Sequence, residues 1–200
     1  PRHGRARRHP QKEGQARHLT IWLQEMKLPQ VGEKELLESA KVMPTTSQAS
    51  PATLQPIFQG LIDQGHEVIA IHVSSKLSGT VQSAMQAKEM LGAAGEKVTV
   101  IDSFSTSMAM SFQVLAVARA LESGANLKEA IEVANRARDL SGVYLVPETL
   151  EFLHRGGRIG GAQRFIGTVL NMKPVLALQN GRVEGIERVR TKGKAHDRMV

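Results

Sequence analysis

The chain has 200 residues, 41% hydrophobic and 22% charged, a balance that fits a globular protein with one or two domains and a buried core. No run approaches the roughly 20 apolar residues of a membrane-spanning helix, and no apolar stretch follows the early basic residues as in a signal peptide, so a cytoplasmic location is expected. The absence of cysteine excludes disulfides, thiolate catalysis and cysteine-ligated metals.

The net charge of +7 is unevenly spread. Residues 1–20 hold Arg2, Arg5, Arg7, Arg8, Lys12 and Arg17 against the single Glu13, so the rest of the chain is nearly neutral. Residues 1–40 are expected to form a basic, disordered or atypical segment, because PRHGRARRHPQK has little apolar surface to offset ordering entropy. A nucleic-acid-binding tail is one alternative function, and transient contact with an anionic membrane surface is compatible with the same charge. Aromatics at 4% supply few stacking platforms for single strands, which counts against nucleic acid. Because the chain begins at Pro1 and not at Met, it is expected to be a fragment or a processed product.

Residues 41–155 read as an α/β domain. In Thr45-Thr46-Ser47-Gln48-Ala49-Ser50-Pro51, Ser50 is a good N-cap and Pro51 a good first helical residue. His66–Ser75 is apolar almost throughout, which suits a parallel strand covered on both faces. A helix is expected from Val81 to Leu91, then a second such strand at Lys97–Ser103, helices at Thr106–Glu122 and Leu127–Leu140, and a short strand at Gly142–Pro147. This alternation argues for a mostly parallel sheet. Residues 156–200 change in texture: a glycine-rich turn at 156–161 leads into an expected helix to Asn171, and two runs, Lys173–Leu178 and Arg182–Arg190, flank Asn180-Gly181. Asn-Gly between such runs predicts a hairpin, since both residues tolerate positive φ. This stretch reads as the start of an antiparallel second domain.

Chemistry is suggested where hydroxyls meet helix starts, at Thr46 and Ser47 and in Ser74-Ser75-Lys76-Leu77-Ser78-Gly79-Thr80. The second lies where a parallel strand gives way to a helix, the place at which open α/β sheets bind ligands and free N–H groups favour an anion. The plain alternative is that these residues only cap helices and form turns. A Ser-dependent hydrolase or transferase using Ser78, with His72 and Asp102, is the enzyme alternative, but no Gly-x-Ser-x-Gly elbow is present. The glycine run at 156–161 lacks the Lys-[Ser/Thr] of a phosphate loop, and the histidines show no metal-ligand spacing, so no metal and no cofactor are expected. His66 and His72 are expected as strand-edge or satisfied core residues, and Met85, Met90, Met108 and Met110 as core filler or the wall of an apolar pocket.

Several segments, in order and spacing, resemble the signature of the DegV family. They are Thr46-Ser47-Gln48, Glu67-Val68-Ile69 leading to Ser74–Thr80, Val100-Ile101-Asp102-Ser103, Thr149–Leu153 with Gly156-Gly157-Arg158-Ile159, Asn171–Val175, and Val189-Arg190-Thr191. The resemblance spans about residues 40–200, with departures at Ala49, Val81 and Ala109. It implies a bacterial two-domain α/β carrier that is not itself an enzyme. A long-chain fatty acid is buried between the domains, its carboxylate held by Thr46 and Ser78, with Ser47, Gly79 and Thr80 beside them. The carrier presents that carboxylate to a separate ATP-dependent kinase subunit for acyl-phosphate formation. Arg158 and Arg190 are then expected to face the partner. Against the family's pattern, the first strand is not recognisable in residues 1–40, and the C-terminal segment with its ligand-side histidine is expected to lie beyond this chain.

Overall fold

The computed structural model describes residues 47–167 and 172–199. Thr46, the basic segment 1–40 and Asn171 lie outside the described residues.

Helix α1 (Pro51–Asp63) starts as its sequence predicts: Ser50 is extended (φ −77°, ψ 159°), and its hydroxyl accepts the Thr53 N–H at 3.2 Å, with Pro51 as the first helical residue. Leu54, Phe58 and Ile62 recur every four residues, so they line one face and bury together. Strand β1 (Val68–His72) pairs in parallel with β2 (Val98–Asp102), Val68 opposite Val98 and His72 opposite Asp102. The crossover between them is α2 (Thr80–Met90) and a 3₁₀ turn at Gly92–Lys97.

Helices α3 (Ser107–Glu122) and α4 (Leu127–Asp139) follow. The α4 start is fixed by a reciprocal capping box, in which Asn126 accepts from the Glu129 N–H and Glu129 accepts from the Asn126 N–H. Side chains alternate across a strand. Val68 and Ala70 therefore pack with α1 and α2 in a cluster that includes Phe58, Ala84 and Val98, while Ile69 and Ile71 pack with Ile101, Val117, Ala130 and Ala134 from the α3 and α4 side. This is a sheet covered on both faces, and it explains why the two strands read as nearly continuous apolar runs.

A second sheet is antiparallel, in the order β3 (Tyr144–Leu145), β4 (Lys173–Gln179), β5 (Arg182–Val189). The hairpin forms where Asn-Gly predicts it, with φ +50° at Asn180 and +77° at Gly181. Its register skips from Val175–Glu187 to Leu176–Gly185, leaving Ile186 as the extra, exposed residue of a bulge. Helix α5 (Glu151–Arg155), a 3₁₀ turn at Gly160–Phe165 and helix α6 (Lys192–Asp197) complete this half. Ile159, Ala162, Leu176 and Val183 form its core, joined by Leu77 from the other half.

The chain is thus a mixed α/β protein with a parallel and an antiparallel sheet. Four local expectations are corrected. The run at Gly142–Pro147, grouped by its sequence with the parallel strands, supplies only β3, which pairs antiparallel with β4; a run this short carries no sign of its partner. The helix expected after the glycine turn is a 3₁₀ turn that ends before Gly167, where φ is +74°. Met85, Met90 and Met108 lie largely exposed rather than in the core. His72 is buried at Nε2 without a hydrogen-bond partner, so it is not a satisfied core histidine.

Candidate functional site

The carboxyl ends of β1 and β2 open into two serine-rich loops. In the first, the Leu77 and Ser78 N–H groups both donate to the Ser74 carbonyl, at 2.9 and 3.0 Å, folding 74–78 into a tight turn. In the second, the Asp102 carboxylate accepts the Phe104 N–H at 2.9 Å and reaches across to the Ser75 N–H at 3.2 Å, so one side chain organises both loops. Phe104 and Ser107 take positive φ, +46° and +53°. That is an uncommon conformation for residues with a Cβ.

Ser78, Gly79 and Thr80 sit together at the start of α2. The Ser78 and Thr80 hydroxyls lie 2.8 Å apart, and the Thr80 N–H donates to Ser78 Oγ at 3.3 Å. Gly79 occupies the N-cap position, where it offers no side-chain cap to the first-turn N–H groups. A Cβ at Gly79 would fall on the Gln48 carboxamide, and Gln48 Nε2 donates to Ser83 Oγ at 3.2 Å. The segment carrying Ser47, itself exposed, is thereby brought to the α2 N-terminus from 35 residues away in the chain. Thr46 adjoins Ser47 but lies outside the described residues.

This arrangement suits an anion better than it suits nucleophilic catalysis. The first turn of α2 lacks a side-chain cap, and the positive end of its dipole lies beside the Ser78 and Thr80 hydroxyls. Ser78 is hydrogen-bonded to Thr80 and not to His72, and the Asp102 carboxylate is engaged by backbone N–H groups. Burial also holds the His72 imidazole below its usual range, so it stays neutral near neutral pH. Among the described residues no cluster of three or more metal-ligating side chains occurs.

The two arginines singled out by sequence have different surroundings. Arg158, exposed, spends Nε on the Leu77 carbonyl at 2.9 Å and Nη1 on the Gly156 carbonyl, which attaches the glycine turn to the residue before Ser78. Arg190, just past β5, is exposed and lines a groove of about 530 Å³ together with Arg188, Lys194 and Arg198, against Glu187 and Asp197. Arg198 pairs with Glu187 at 3.3 Å, and cations outnumber acids in the groove. Nearby, Lys192 and Lys173 flank Glu148, holding its exposed carboxyl below the usual carboxylate range.

Gln48 and Ser74 fall in segments that the sequence singles out, but neither was assigned a role of its own there. Ser74 is fully buried, donates from Oγ to the Gly181 carbonyl at 2.8 Å and accepts from the Lys76 N–H at 3.2 Å. Its partner is 107 residues away. The only local signal was a hydroxyl at a strand end, which reads equally well as a turn former.

Residues 28–200 match a family model described as "Uncharacterised protein, DegV family". Curated relatives include a DegV domain-containing protein of Deinococcus radiodurans, 34% identical over 169 residues, and one of Streptomyces coelicolor, 36% identical over 156. These alignments cover 83% and 78% of this chain but 59% and 54% of the relatives, so the chain spans little more than half their length. A solved structure of a fatty-acid-binding DegV family protein from Thermus thermophilus is 41% identical with a TM-score of 0.75, covering 82% of this chain and 57% of that one. A fatty-acid-binding DegV family protein from Streptococcus agalactiae is 25% identical with a TM-score of 0.73, covering 82% and 58%. Among the described residues no helix is long and apolar enough to cross a membrane.

Proposed function

The chain belongs to the DegV family, and on that premise we propose that it is part of a carrier that binds one long-chain fatty acid and offers its carboxylate to a separate kinase subunit. The observation that carries this reading is the docking of Gln48 over Gly79. It brings the segment that carries Ser47 to the start of α2, where the Ser78 and Thr80 hydroxyls stand, and in this reading those groups receive the carboxylate. The similar proteins from Thermus thermophilus and Streptococcus agalactiae, described as fatty-acid-binding, supply the ligand class.

In this reading the carboxylate sits against Ser78 and Thr80, with Thr46 completing the set of hydroxyls, and the acyl chain is expected to occupy an apolar space between the two halves. The protein supplies position and the kinase supplies ATP. Mass spectrometry of purified, denatured protein provides the test: a fatty acid released in near-stoichiometric amount is expected. A chain that carries no acid after expression and takes up none when offered it refutes the reading.

The basic groove around Arg190 is the proposed contact for the kinase. An acyl phosphate carries more negative charge than the acid, and arginine binds phosphate through a planar, permanently charged fork. Arg190→Ala is expected to leave fatty-acid affinity nearly unchanged while slowing phosphoryl transfer at least tenfold in a reconstituted assay, about the weight of one charge-assisted hydrogen bond. Wild-type transfer by this variant would remove Arg190 from the partner surface. Arg158, whose Nε and Nη1 hold the loop, is also proposed to face the partner.

A further inference from the structure

We propose that the tip of the β4–β5 hairpin is a latch that positions the carboxylate-binding loop, closed by the buried hydrogen bond from Ser74 Oγ to the Gly181 carbonyl. The inference rests on the reading of Ser78 as a ligand residue.

Three independent contacts tie the loop 74–79 to the antiparallel half. Ser74, with no exposed surface, donates to Gly181, while its own oxygen receives the Lys76 N–H, so a single hydroxyl links the hairpin tip to the loop backbone. Leu77 inserts its side chain among Ile159, Leu176 and Val183. Arg158 Nε holds the Leu77 carbonyl at 2.9 Å. Ser78 follows directly, and its N–H is bonded to the carbonyl of Ser74 itself, at 3.0 Å. Displacement of Ser74 therefore displaces the residue that meets the ligand.

The hairpin tip is shaped for this contact. Gly181 is buried, has φ +77°, and a Cβ there would fall on Ser74 Oγ and come within 3.2 Å of the Phe104 Cα. Asn could satisfy the turn as well as glycine does; it is the approach of Ser74 and Phe104 that requires the bare Cα. The loops at the ends of both parallel strands thus press on one glycine, and a broken bond would leave a buried carbonyl unsatisfied.

A latch at the carboxylate end should matter to the head group and not to the tail. Binding of palmitic acid and of its methyl ester to the full chain is to be measured for wild type, Ser74→Ala, Gly181→Ala and the double variant. Ser74→Ala should weaken the acid about fivefold and the ester less than twofold. Gly181→Ala should weaken the acid more, and less so in the Ser74→Ala background, because the obstructing oxygen is gone. Equal loss for acid and ester, no loss for the acid, or strictly additive effects of the two substitutions would each overturn the latch. If wild type binds neither ligand, the fatty-acid reading itself has failed, an outcome distinct from failure of the latch. Thermal scans of each variant identify unfolded protein; should Ser74→Ala not fold, Asn180→Gly/Gly181→Asn keeps the turn while adding the Cβ, and wild-type acid binding by that variant overturns the proposal.

Discussion

Fatty acids of increasing length should bind this chain progressively more tightly, by about tenfold for each added pair of methylenes until the apolar space is filled. Each buried CH₂ contributes about 0.8 kcal/mol, so a dozen supply about 10 kcal/mol before association costs, whereas a hydrogen bond to a charged carboxylate contributes about 1.5–3 kcal/mol. On the proposed reading, the tail sets affinity and the head sets orientation. Ser78→Ala should consequently weaken every chain length by about tenfold, as a parallel displacement of the length series. Calorimetric titration from C10 to C18 checks both parts. Affinity that does not change with length refutes tail burial, and a Ser78→Ala series with a different slope refutes the division between head and tail.

Leu176→Ala should destabilise the chain by about 3 kcal/mol, a large share of the stability expected of a domain this size. Leu176 has no exposed surface and lies on the central strand of the antiparallel sheet, where it meets Ile159, Ala162 and Val183 with Leu145, Leu153 and Phe165 around them. Neighbours cannot collapse into the space it leaves, because Phe165 is fixed on one side by the close approach of Gly185 and by the guanidinium groups of Arg164 and Arg188 over its ring, 5.4 and 5.1 Å from the centroid. Leu77 shares the cluster, so the loss should also loosen the loop before Ser78. Urea unfolding followed by circular dichroism should show a lower midpoint with an unchanged slope. A loss below 1 kcal/mol would mean that this core is more plastic than its packing implies.

Elements with a local cause were legible in the sequence. β1 and β2 were betrayed by their unbroken apolar runs, α1 by Ser50-Pro51 and the hairpin by Asn180-Gly181, and each formed within three residues of its expected place. Contacts whose cause lies far away in the chain were not legible. Tyr144–Leu145 could not announce that it pairs with Leu176 and Ala177, and nothing near Gln48 indicated that its carboxamide covers Gly79. For the candidate site, composition and helix-start chemistry picked out Ser47, Ser78, Gly79 and Thr80, but the clamps formed by Arg158 and Ser74 arise from tertiary packing. The exposed Met85, Met90 and Met108 show the same limit: helical spacing gives a face, and only the fold decides whether that face is covered.

The separation of Ser74 from Gly181 also has a meaning in time. A hairpin such as β4–β5 closes in about 1–10 μs once both strands exist, because its partners are neighbours in the chain. The parallel half can assemble as soon as α4 has been made. At about 5–20 residues per second, translation from Leu140 to Gly181 takes on the order of seconds. For the first part of that interval the loop that carries Ser78 lacks both Arg158 and the hairpin tip, and for the rest of it the hairpin tip alone is missing. On the proposed reading, the loop before Ser78 would gain its hydrogen bond to Gly181 only after β5 has been made and has docked, seconds after the parallel strands.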